Sequence, residues 1–149
     1  MTINEIQDQI IEEFSVFTEW MDRYEYIIEL AADVPPIEDV HRTYQYAIKG
    51  CQSRVWVDAR LGEDGKMYFT AYSDAIITKG ISALLIRVLD GHTPGEIMEA
   101  DLYFIDRIGL GQNLSPTRAN GLLAMIKQMK LFATAYDAVQ QKQSGKLAQ

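Results

Sequence analysis

A stretch of strand-like alternation, residues 44–72, lies between two blocks of helical periodicity, and that order constrains the fold more than any other feature. Tyr44, Tyr46 and Ile48 alternate with Gln45, Ala47 and Lys49. A turn is expected at Gly50-Cys51, after which Val55, Val57 and Ala59 alternate with Arg54, Trp56 and Asp58. A period of two puts successive side chains on opposite faces of a strand. Glu63-Asp64-Gly65 is a hairpin signal, because glycine tolerates positive φ, and Met67 to Tyr72 supplies the return strand. Three short strands need a helical layer on one face to be stable. The expectation is an α+β fold: a three-stranded antiparallel sheet packed against helices from both ends of the chain. Nothing alternates as parallel βαβ units would.

The flanking blocks supply those helices. Thr2-Ile3-Asn4-Glu5 reads as a capping box, a hydroxyl at the cap and a carboxylate three residues on. Ile3, Ile6, Ile10, Phe14, Phe17, Met21 and Tyr24 then recur at steps of three or four, one apolar helical face. Asp22-Arg23-Tyr24-Glu25 repeats the cap pattern and predicts a second helix from there. Pro35-Pro36 ends helical structure, so residues 33–43 read as an extended crossing loop. Ser73-Asp74 is expected to cap a third helix with Ile77, Ile81, Leu84, Leu85 and Val88 on its apolar face and Gly91 as its stop. Thr93-Pro94-Gly95-Glu96 opens a short helix with proline at the first helical position. Residues 101–110 read as short helix, and Ser115-Pro116 starts the last long one. The chain turns polar after Asp137.

No composition shift or repeat marks a second domain in 149 residues. Residues 1–138 are therefore read as one domain and 139–149 as a flexible tail. The net charge of −7 argues against nucleic acid and anionic membranes as main partners. Residues 1–20 carry Glu5, Asp8, Glu12 and Glu13 and no basic residue, unlike a signal peptide. No apolar run approaches membrane-spanning length, and a cytoplasmic location with a reduced thiol is the default expectation.

Cys51 is the only cysteine. That rules out an internal disulfide and a redox pair with its own resolving thiol. A thiolate is nucleophilic, and nearby cations lower a thiol's pKa; Lys49 and Arg54 are close in sequence, and Arg118 could approach in space. From composition alone, burial as a small apolar residue is the commoner fate of such a cysteine. Gly50 weighs the other way, since glycine at a strand boundary marks a turn, and turns are exposed. Cysteine-protease chemistry needs an imidazole base, and His41 and His92, the two histidines, sit in no such pattern. Each is more often a surface histidine than a base. No metal-ligand spacing exists, and Gly109-Leu110-Gly111 lacks the lysine of a phosphate loop.

Four stretches, in order along the chain, resemble the SufE family of sulfur acceptors. They are Trp20 with residues 23–30, then Gly50-Cys51-Gln52-Ser53-Arg54-Val55-Trp56, then Ser73-Asp74-Ala75-Ile76-Ile77-Thr78-Lys79-Gly80, and then residues 114–122 with Arg118. The second matches the family's active-site motif closely. The resemblance implies that Cys51 receives sulfur as a persulfide from a cysteine desulfurase, stimulates that enzyme, and passes the sulfur to an iron–sulfur scaffold complex. It implies that Gly50, Gln52, Ser53 and Arg54 form the active-site loop, and that Asp74 and Arg118 support the thiolate or the partner surface. It implies no resident cofactor and no metal, and a SufE/IscU-like fold. Residues 33–43, 61–66, 101–112 and those after Tyr136 carry no implied role.

Three other readings stay open on the sequence. The chain could be a desulfurase-binding regulator with Cys51 incidental. It could be a thiol redox sensor forming sulfenic acid. An iron–sulfur scaffold is disfavoured, because cluster ligation takes several thiolates unless two chains share it. Monomer and homodimer are both compatible with these residues.

Overall fold

The computed structural model describes residues 1–34 and 55–148. Helix α1 spans Ile3–Phe14, and Thr2 and Glu5 cap it reciprocally, each backbone N–H donating to the other's side chain at 3.1 Å. The apolar row that runs on to Tyr24 is split between two helices. α1 stops at Phe14 and α2 runs Trp20–Leu30 with Glu19 at its cap, three residues earlier than the Asp22 cap pattern implies. The reason lies in Arg23, whose side chain faces inward. Its Nε donates to Phe17 O and its Nη1 to Ile108 O, both at 2.9 Å, so it ties the 15–19 turn to a distant loop. A 3₁₀ turn, Ala31–Asp33, follows α2.

Strands β1, Val55–Leu61, and β2, Met67–Ser73, pair antiparallel from Val55↔Ser73 to Leu61↔Met67. Among the described residues the sheet has these two strands, and the first of the three expected, at 44–48, lies outside them. The hairpin closes as the sequence predicts: Gly62 N–H donates to Lys66 O at 2.8 Å, and Gly65 takes φ +78°. Val55, Val57, Met67, Phe69 and Ala71 are buried on one face. On the other, Trp56 meets Tyr72 at 5.4 Å between ring centroids, and the Arg60 guanidinium lies over Tyr68 at 4.7 Å.

Helix α3, Ile76–Leu89, is the spine of the core. Ile77, Ile81, Leu84, Leu85, Val88 and Leu89 are all nearly or fully buried, against α2 on one side and the sheet on the other. Gly80 makes the α2 contact close, for a Cβ there would lie 2.1 Å from Ile27 O. Ser73 and Asp74 do not cap this helix. Ser73 is still paired in β2, its Oγ accepts from Ala75 N, and Ala75 occupies the cap without a side-chain bond. After α3, Asp90 turns back to the sheet and accepts from Phe69 N at 2.7 Å. Met67 exchanges backbone bonds with Gly91 and His92, so this segment closes part of the β2 edge.

Helix α4, Pro94–Glu99, has the expected capping box, with Thr93 and Glu96 as its two members. Short helices α5, Phe104–Arg107, and α6, Leu110–Asn113, follow, separated by Gly109 at φ +92°. Gln7 of α1, fully buried, pins this region. Its Nε2 donates to Asp101 O at 3.0 Å, and its Oε1 accepts from Phe104 N at 3.1 Å. Helix α7, Pro116–Ala148, buries Leu122, Met125, Met129 and Ala133. It continues through residues expected to form a tail. Tyr136 Oη donates to Ala59 O at 3.2 Å and Gln140 Nε2 to Gly65 O at 3.1 Å, so α7 grips the hairpin beyond its apolar face. No helix among the described residues is long and apolar enough to cross a membrane.

Candidate functional site

Cys51, with Gly50, Gln52, Ser53 and Arg54, lies outside the described residues, as does His41. What is described is the end of the fold to which that segment is joined. The chain re-enters at Val55, 1% exposed and paired with Ser73. Cys51 precedes Val55 by four residues in the sequence. Trp56, the last residue of the motif, is anchored in the sheet against Tyr72.

The Val55–Ser73 end of the sheet is also where α3 begins. Asp74 is exposed in the link between β2 and α3, and Ala75 caps the helix without a side-chain acceptor. The first amides of α3 therefore present the positive end of the helix dipole. The first turn of α7 lies beside it. Arg118 Nη1 donates to Thr78 Oγ1 at 3.4 Å, across the junction of the two helices, while its backbone N–H is directed to Ser115 Oγ at 3.4 Å. Asp74 and Arg118, far apart in sequence, thus belong to one corner of the molecule. That corner combines a guanidinium and a helix amino end, which favour an anion, with the Asp74 carboxylate, which opposes one. Thr78 is the residue that sequence reasoning passed over. It lies in the quoted stretch 73–80, but only the contact with Arg118 reveals its part.

His92 is neither on the surface nor placed as a base. It is 7% exposed, with Nε2 3.0 Å from Met1 O and Nδ1 3.4 Å from Leu89 O. Both ring nitrogens face backbone carbonyls, a structural role. Among the described residues no group of three or more His, Cys, Asp or Glu side chains could hold a metal ion.

Comparison with known proteins places this architecture. The family model SufE, described as an Fe-S metabolism associated domain, matches residues 8–133. An uncharacterised SufE-like protein of Rhizobium meliloti (strain 1021) is 39% identical over 127 residues, covering 83% of this chain and 91% of the relative. The solution structure of a hypothetical protein from Thermus thermophilus superposes with a TM-score of 0.73, covering 89% of this chain and 96% of the other. At 24% identity that likeness shows the fold alone.

Proposed function

This chain belongs to the SufE family, an Fe-S metabolism associated domain, and from that premise we propose that it is a sulfur acceptor and carrier whose Cys51 takes sulfane sulfur from a cysteine desulfurase. The observation that carries the reading is the span of the family match. Residues 8–133 include the sole cysteine within its Gly50-to-Trp56 motif.

The chemistry is thiol exchange. The Cys51 thiolate attacks the terminal sulfur of a persulfide on the desulfurase. The sulfur–sulfur bond on the desulfurase breaks, that enzyme's cysteine leaves as the thiolate, and a new sulfur–sulfur bond forms on Cys51. The proton travels with the transferred sulfur, so no outside oxidant or reductant is needed. Absence of a second cysteine suits a carrier, because a neighbouring thiol would displace the sulfur by forming a disulfide. The Arg118 guanidinium and the α3 amino end support the reading, since a thiolate gains from nearby positive charge. Asp74, exposed on the same corner, is the residue proposed to face a partner surface. The recipient in this account is an iron–sulfur scaffold complex, and the setting is the cytoplasm.

Alanine release from cysteine by a desulfurase, with and without this protein, tests the proposal. Wild type raises turnover and Cys51→Ser does not. Equal stimulation by Cys51→Ser would replace sulfur transfer with docking alone.

A further inference from the structure

A hollow lies at the exit of α2. Its volume is about 370 Å³, and Leu30, Asp33, Ala83, Leu84, Ile86 and Arg87 line it. The size is within the range of small-molecule sites. Leu84 and Ile86 are buried at 1% and 6% exposure, so the apolar surface open to a ligand comes from the partly buried Leu30 and Ala83 that lie over them. Arg87 stands at the margin with its side chain 35% exposed. Its Nη1 is held by Glu13 Oε2 at 2.7 Å, which fixes the guanidinium and leaves its other N–H groups to a ligand. Asp33, just before the chain leaves the described region, is exposed and has no ion-pair partner among the described residues.

We propose that this hollow binds a free α-amino acid with an aliphatic side chain. Three features select that class. Arg87 takes the α-carboxylate, the geometry for which guanidinium is best suited. Asp33 takes the α-ammonium. The apolar wall of Leu30 and Ala83 receives the side chain, where burial of methyl and methylene groups supplies affinity without polar cost. A dianion is opposed by Asp33 and a cation by Arg87, whereas a zwitterion satisfies both. The proposal does not depend on the Cys51 chemistry.

Two-dimensional amide NMR of the full chain, titrated with L-leucine, isocaproate and isoamylamine, tests the assignment. Isocaproate lacks the ammonium and isoamylamine lacks the carboxylate. L-leucine is expected to give saturable shifts confined to residues around 30–33 and 83–87. Each analogue is expected to bind about tenfold more weakly, the worth of one charged hydrogen bond. Asp33→Asn, at an exposed position that does not threaten the fold, should weaken L-leucine by about the same factor while binding isocaproate at least as well as wild type does. No shifts at tens of millimolar, shifts elsewhere, or equal binding of L-leucine and isocaproate would overturn the proposal. So would an Asp33→Asn protein that binds L-leucine as wild type does.

Discussion

Asp90 shows how a single carboxyl can stabilise and strain a fold at once. It is half-buried at the end of α3 and accepts from Phe69 N, an amide of the sheet. Burial is the largest influence on it and raises its pKa, outweighing the Phe69 amide and the nearby Arg60 and His92. A folded-state value above the unfolded one means a contribution that is full below the unfolded pKa and lost as pH rises through the folded one. Asp90→Asn keeps the acceptor and drops the charge. At neutral pH it should match or slightly exceed wild-type stability, and that margin should vanish as the solution is acidified. Asp90→Ala should instead cost about 1–3 kcal/mol, because it orphans a buried amide. Denaturant unfolding at two pH values checks both. Nothing in the sequence marks Asp90 for this work, nor Gln7, whose side chain is occupied by Asp101 and Phe104. Both act on partners distant in the chain, and local patterning carries no signal for such bonds. Cys51 is the opposite case, since its motif is contiguous and legible by eye.

Elements were legible where their signals are local. The boxes at Thr2 and Thr93 cap the helices they predict, because both members lie within one turn. The Asp22 and Ser73 patterns fail because tertiary partners claim those stretches: Arg23 is drawn to Phe17 and Ile108, and Ser73 stays in the sheet. Gly80 is legible only as part of a motif, yet it sets the distance between α2 and α3. Gly80→Ala should cost at least about 2 kcal/mol, since the obstacle is the Ile27 backbone rather than a movable side chain; thermal or denaturant unfolding measures it. The polar end of α7 reads as tail because its apolar face has run out. What holds it is polar, Gln140 on the hairpin turn. A chain ending at residue 138 should keep its core but exchange the amides of Gly62 to Lys66 faster, as hydrogen exchange would report. Unchanged exchange there would mean that the last turns of α7 do not brace the hairpin.

At the scale of the whole molecule, the fold gathers one corner from separate stretches. The β2–α3 link and first turn of α3 bring Asp74 and Thr78, and the start of α7 brings Arg118. The sequence names these residues one at a time. Their meeting depends on the antiparallel register and on the α3–α7 junction, neither of which a linear pattern encodes. The most direct test of the account is intact-protein mass spectrometry after brief mixing with a desulfurase and L-cysteine under anaerobic conditions. The account predicts that wild type gains the mass of one sulfur atom, removable by a thiol reductant, and that Cys51→Ser gains none. A wild-type protein that stays unmodified while the desulfurase is turning over, or a Cys51→Ser protein that carries the same added sulfur, would contradict it.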